Sequence, residues 1–231
     1  MPTHLDNLVF YIPDLKKRRI LDVGAGRGKF LIECAEHGFT AKGLEYNQDN
    51  IAIIKNIAGN KNLNIDIERG IAENIPFPSD SFDFLNFSEV IEHVKLPATV
   101  LREAYRVLAP KGLAYMSVPN RFGWLDQHFH LAFVNWLPRP WADFFIYLFR
   151  KHKNYSGGSG LQKLQEMHYY TYNDFVREAC QAGFLVHDMR EIKIKSKFKS
   201  NKTLSFFAII TYKLFRPWYF DSFHFKLIKN E

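Results

Sequence analysis

The sequence predicts an α/β fold with a doubly wound, mostly parallel sheet, and three observations carry that prediction. Short apolar runs alternate with amphipathic helical patterns from residue 20 to about residue 118. The first run, Ile20 to Val23, opens onto Gly24, Gly26 and Gly28 and then a helical pattern. The second, Ala41 to Leu44, ends on a carboxylate, Glu45. A glycine turn after strand one and an acid after strand two belong to the crevice where open α/β sheets bind ligands.

Each element follows from local pattern. Leu5, Leu8, Val9 and Ile12 form a short amphipathic segment stopped by Pro13. After the glycine turn a helix runs from Lys29 to His37 and stops at Gly38. Asn47 caps a second helix with Ile51, Ile54 and Ile57 on one face. Leu63 to Ile67 alternates and reads as strand three, Phe82 to Ser88 as strand four. A helix over 98–108 precedes strand five, Leu113 to Val118. Alternation then breaks. Residues 121–165 read as an insertion, with an aromatic helix after Pro138-Arg139-Pro140 and a glycine–serine connector at 156–160. Thr171 caps a further helix ending at Gly183. Phe184 to Ile194 and Leu204 to Leu214 are expected as strands six and seven, paired as an antiparallel hairpin. The whole, residues 1–231, reads as one domain.

The turn Asp22-x-Gly24-Ala25-Gly26-x-Gly28 does not have the spacing of a dinucleotide fingerprint, because position 29 is Lys. It also lacks the Gly-Lys-Ser/Thr of a phosphate-binding loop. Followed by Glu45, seventeen residues after Gly28, it resembles the class I S-adenosylmethionine (SAM) methyltransferase signature. A second stretch, Ala72-Glu73-Asn74-Ile75-Pro76-Phe77 through Ser81-Phe82-Asp83, resembles a later landmark of that family, as does Arg106-Val107-Leu108-x-Pro110-Lys111-Gly112. The resemblance implies a Rossmann-like seven-stranded sheet with an antiparallel last strand. It also implies SAM as cofactor, held by Asp22, Gly24, Ala25, Gly26, Gly28, Glu45, Tyr46, Ala72, Glu73 and Ser88. Where many members carry an Asp before the alanine, this chain has Ile71, so adenine recognition is expected to rest on backbone groups.

A second constellation follows strand four. Glu89, Glu92 and His93 are spaced i, i+3, i+4 and would share one face if the segment were helical. Two carboxylates and an imidazole suit Mg²⁺ or another divalent cation. This Glu-x-x-Glu-His run resembles the ubiquinone-biosynthetic O-methyltransferases and the small-RNA ribose methyltransferases. In the latter a further histidine completes a metal site, a place His168 takes here. Without metal, His93 or His168 is expected to act as general base. His128 and His130 fit no ligand spacing and are assigned to a lid.

Composition narrows the partners. Aromatic content of 16% and hydrophobic content of 47% exclude disorder, and a net charge of +7 favours an anionic partner. Cys34 and Cys180 fall in helical patterns, which predicts buried thiols, a reducing cytoplasmic compartment and no disulfide framework. No signal peptide is read at the N-terminus, and the uncharged run 203–212 is too short to span a bilayer. The acceptor is expected to be a small, lipid-linked or glycan-precursor molecule, methylated at oxygen. Nucleic acid is disfavoured, since no RNA-binding module accompanies the basic residues. The helix at 138–153 and the C-terminal segment 215–229 are read as a surface for an anionic membrane.

Overall fold

A computed structural model of the protein describes residues 3–151 and 163–230. Seven strands form one sheet: β1 (Ile20–Val23), β2 (Ala41–Glu45), β3 (Asp66–Arg69), β4 (Phe82–Phe87), β5 (Leu108–Pro119), β6 (Phe184–Asp188) and β7 (Ser222–Lys229). Their order is β3-β2-β1-β4-β5-β7-β6, parallel from β3 to β5, with β7 antiparallel to both its neighbours. The order reverses between β1 and β4, so the glycine turn after β1 lies at the switch point.

The helices are α1 (His4–Tyr11), α2 (Lys29–Glu36), α3 (Gln48–Asn60), α4 (Pro97–Val107), α5 (Arg139–Leu148), α6 (Tyr172–Gln181), α7 (Met189–Lys197) and α8 (Lys202–Tyr219). Each start has a chemical cause. Thr3 and Asp6 form a reciprocal capping box on α1, and the Asn47 and Thr171 side chains accept from amides of α3 and α6. One face of the sheet packs Leu85, Phe87 and Phe225 against α4 and α6. The other packs Ile20, Phe84 and Tyr115 against α1, α2 and Met189 of α7. The insertion after β5 has a small core of its own, with Phe129, Val134, Ala142, Ile146, Leu164 and Met167. The connector expected at 156–160 lies outside the described residues.

Several expectations are corrected. Strand six ends at Asp188, whose carboxylate accepts from the amides of Arg190 and Glu191 and so starts a helix. Leu204 to Leu214 is helical: Asn201 caps α8 at Leu204, and a continuous apolar run fits helix as readily as strand. Strand seven is 222–229 instead, where Phe223, Phe225 and Leu227 point inward with the two-residue period of a strand. The sequence pattern alone assigns this segment to a surface. Strands six and seven do pair antiparallel, but two helices join them, so there is no hairpin. Finally, the segment after β4 is a run of turns and not a helix; Glu89 has φ +58°, and α4 begins only at Pro97. Of the two thiols, Cys34 is buried but Cys180 is exposed.

Candidate active site at the carboxyl ends of β1, β2 and β4

The glycine turn is closed by backbone bonds: the amides of Gly24 and Ala25 donate to the Leu44 carbonyl at 2.8 and 3.1 Å. Gly24, Gly26 and Gly28 all have positive φ. A Cβ on Gly24 would stand 2.7 Å from a Val90 methyl, and one on Gly28 2.5 Å from Ile54, whereas one on Gly26 would meet nothing within 4 Å. The turn is therefore packed on two sides and open at Gly26. Val90 lies between Glu89 and Glu92, so the turn touches the second constellation directly.

Glu45 is held at the lip of this turn. Its carboxylate is 3% exposed and accepts from the Gly26 amide at 2.7 Å and the Asn47 amide at 2.8 Å. Each oxygen retains a lone pair, so the group is oriented and still able to take ribose hydroxyls. Asp22 sits behind it, also 3% exposed, accepting from Asn86 Nδ2 at 2.7 Å. Asn86 Oδ1 in turn accepts from His4 Nε2 at 2.9 Å, a chain that reaches α1. Burial, aided by the nearby Glu45 charge and opposed by the Asn86 hydrogen bond, pushes the Asp22 carboxyl up to about 7.

The residues expected on the adenine side are tied to the same frame. Ala72 is buried, Ile71 is exposed and bridges to Asn74, and the Gly70 amide donates to the Glu45 carbonyl. Glu73 accepts from the Lys95 amide at 2.8 Å, which links this loop to the segment after β4. Tyr46 is half exposed just beyond Glu45, and Ser88 is half-buried at the end of β4.

The second constellation has a different membership from the one spacing implies. Side-chain donors of Glu92, His93 and His128 lie within 4.8 Å of one another. The Glu89 side chain is outside this group and exposed, while its amide donates to Ser117 Oγ at 2.7 Å. The His168 side chain is outside it too; its amide donates to the Glu92 carbonyl at 3.0 Å, so the insertion's return steadies the turn that carries Glu92. His128, which had been given a lid role, comes in from the insertion instead.

Glu92 is fully buried, and among the described residues neither of its carboxylate oxygens accepts a hydrogen bond. The groups facing it are imidazoles: His128 Nε2 at 3.4 Å and His93 Nε2 at 4.0 Å. The His128 tautomer follows from its other side. Tyr169 donates its hydroxyl proton to Asp126 at 2.8 Å, so its oxygen can only accept from His128 Nδ1, also at 2.8 Å. Nε2 then points a lone pair at Glu92. Two lone pairs facing each other in a buried site require a cation between them, either a proton or a metal ion. Asp126 is itself buried, orients the turn through the amides of His128 and Phe129, and drives the Tyr169 hydroxyl far above its usual range, second only to burial. Arg139 covers the Tyr169 ring at 4.8 Å, and burial lowers that guanidinium to about 10. Local spacing gave no signal for His128, because its partner Tyr169 is 41 residues away.

Residues 4–187 match a family model described as a methyltransferase domain. The chain is similar to the ubiquinone biosynthesis O-methyltransferase of Bartonella tribocorum, 31% identical over 154 residues, which is 64% of this chain and 62% of that protein. The protein of the same name from Bradyrhizobium diazoefficiens is 35% identical over 127 residues, 52% of this chain and 49% of that one. The chain thus spans about half to three-fifths of the curated relatives it matches. Among solved structures, the YcgJ protein of Bacillus subtilis superposes with a TM-score of 0.62 at 16% identity, covering 99% of this chain and 100% of that one. The SAM-dependent methyltransferase of Mesorhizobium loti gives 0.60 at 19%, covering 94% and 93%. At these identities the likeness is one of fold. The family match is broader than that, running from α1 into β6 through the glycine turn and Glu45, and the chain belongs to the class I SAM-dependent methyltransferases.

Proposed function

We propose that the protein methylates an oxygen of a small-molecule acceptor, of the phenolic kind found among quinone precursors. The observation that carries this reading is the Glu92–His93–His128 cluster on a segment whose Val90 packs against the glycine turn of the methyl donor. Oxygen acceptors need a proton removed as the methyl arrives, and the cluster is a place for that proton. The relatives' printed name supports the same class of acceptor. As the acceptor oxygen bonds the methyl carbon, the carbon–sulfur bond breaks and neutral S-adenosylhomocysteine leaves. The hydroxyl proton passes to His93, whose side chain is 27% exposed and so open to an acceptor. The buried Glu92 charge then stabilises the imidazolium, and alignment of donor and acceptor supplies the rest.

The same three side chains fit a divalent cation: one carboxylate and two imidazoles, with an unsatisfied buried carboxylate among them. Such an ion, when bound, lowers the pKa of a coordinated hydroxyl. Transfer of labelled methyl from SAM to a series of phenols tests the proposal, with Glu92→Gln and His93→Ala beside the native chain. We expect SAM affinity to be kept and turnover to fall by about two orders of magnitude in both. Unchanged turnover in both variants would refute the role of the cluster. Loss on chelation, restored by added Mn²⁺ or Zn²⁺, would identify the cation as a metal; turnover indifferent to chelator would leave the proton.

A further inference from the structure

In the excursion between β6 and β7, formed by α7 and α8, the second helix is inverted in its polarity. Most surface helices bury an apolar stripe and show water a polar one. In α8 the inward side is polar: Tyr212 donates to Asp188 at 2.6 Å, and Arg216 lies 3.6 Å from both Asp188 and Glu191. Tyr212 is the one buried residue among its eighteen. The outward side, about half the helix circumference at 3.6 residues per turn, carries Phe206, Phe207, Ile210, Leu214 and Trp218 with Thr203, Thr211 and Pro217 among them. These side chains are 47–68% exposed, and no charged residue interrupts the face.

Charge is distributed with equal bias. Residues 189–219 contain eight Lys and Arg against one acid, Glu191, a net +7. The rest of the chain holds 23 basic and 23 acidic residues, so this stretch carries the entire net charge of the protein. Lys193, Lys195, Lys197 and Lys199 are exposed along α7 and its C-terminal end. Lys195, Lys199 and Lys202 also rim a groove of about 370 Å³ floored by Phe198, Phe206 and Ile209. Apolar side chains ringed by ammonium groups match a surface that is anionic outside and hydrocarbon within.

We infer that α7 and α8 dock the protein on an anionic lipid surface, with α8 lying in the interface plane and the lysines at the headgroups. A nucleic acid would account for the lysines but not for the uncharged aliphatic and aromatic face. Among the described residues no helix is long and apolar enough to cross a membrane. The end of α8 is fastened to the insertion: the Trp124 amide donates to the Trp218 carbonyl at 3.0 Å, and the Trp218 ring meets Phe122 and Trp136 at 5.7 and 6.1 Å. The turn at Trp136 leads into α5, which packs through Ala142 and Ile146 and leaves Trp141, Phe144 and Tyr147 outside. An acceptor carried in the lipid would thus meet the insertion that supplies His128.

The test is co-sedimentation of the full chain with phosphatidylcholine vesicles, with and without phosphatidylglycerol. We expect binding to the anionic vesicles alone, weakened by high salt. The Lys193→Gln/Lys195→Gln/Lys197→Gln/Lys199→Gln variant and the Phe206→Ser/Phe207→Ser/Ile210→Ser/Leu214→Ser variant should each partition about a hundredfold less, with SAM affinity retained as evidence of folding. Should a variant lose SAM affinity, quenching of native tryptophan fluorescence by brominated phospholipid decides in its place, since Trp218 would sit at quencher depth. Absence of vesicle binding, or binding by both folded variants as tight as that of the native chain, overturns the inference. So does tighter binding to RNA oligomers that only the lysine variant loses, which would make this a nucleic-acid face. A dimer dissolved by the apolar variant, without vesicle binding, would make it a self-association face.

Discussion

Replacing Asp22 by Asn separates stability from cofactor affinity, and the structure gives both signs. Asp22 is an acid whose folded-state pKa is raised, from 3.8 to about 7. Between those values the native state binds the proton that the unfolded chain has released, so stability falls as pH rises and the full cost stands above pH 7. A rise of about three units at ~1.4 kcal/mol each is about 4 kcal/mol of native-state destabilisation at pH 8, an upper figure because relaxation and water lower it. Asparagine keeps the shape and an oxygen to accept from Asn86 but carries no charge, so it should relieve most of that cost. At roughly 2–4 °C per kcal/mol for a chain of this size, Tm should rise at pH 8 by at most about 8–16 °C, with the gain vanishing toward pH 4. SAM carries a sulfonium and an ammonium group, and the neutral residue should bind it about tenfold or more weaker at pH 8. In the native protein the same linkage makes SAM affinity tighten from pH 6 to 8, as Asp22 ionises. Calorimetric melts at pH 5 and 8, with SAM titrations at each, measure all of this. A Tm gain that is the same at both pH values, or no gain at pH 8, refutes the reasoning.

Three further outcomes are expected. Glu45→Gln leaves only one acceptor oxygen for the two amides of Gly26 and Asn47 and should weaken SAM binding by about 10–100-fold in calorimetry while the fold persists. Tyr169→Phe removes the hydroxyl between Asp126 and His128; it should cost about 1–3 kcal/mol in denaturant unfolding and lower kcat with KM for SAM unchanged. Phe225→Ala, at a fully buried position of β7 whose ring stacks on Phe175 at 4.7 Å, should destabilise by about 3–5 kcal/mol, against about 0.5 kcal/mol or less for Phe206→Ala on α8. Equal losses at the two phenylalanines would mean that strand seven is misplaced.

The parallel half of the sheet was legible because its signals are local. Glycines with positive φ, an acid ending a strand, and Asn47 or Thr171 before an apolar face each act within a few residues. The antiparallel edge was not. Leu204 to Leu214 is apolar enough for a buried strand, and what makes it a helix is the Asn201 cap and the Asp188 partner of Tyr212, neither visible as a period. The true strand hides its alternation among lysines and a histidine. The candidate site divides in the same way. Asp22, Glu45, Glu92 and His93 sit on segments whose order the fold class fixes. Glu89 left the group because a left-handed residue turned the chain where a helix was expected, and His128 entered through an Asp126–Tyr169 pairing that only the tertiary structure makes.

The chain of hydrogen bonds from His4 through Asn86 to Asp22 ties the first helix to a carboxylate that we propose supports the bound cofactor. Anything that lifts α1 from the sheet removes the donor that polarises Asn86, and with it part of what supports the Asp22 charge. By reciprocity, a bound SAM that favours the ionised carboxylate must hold α1 down by the same free energy. Amide exchange in α1, far from the methyl group in sequence, should therefore slow when the cofactor binds. An affinity tag fused ahead of Thr3 would be felt first as a weaker methyl donor complex.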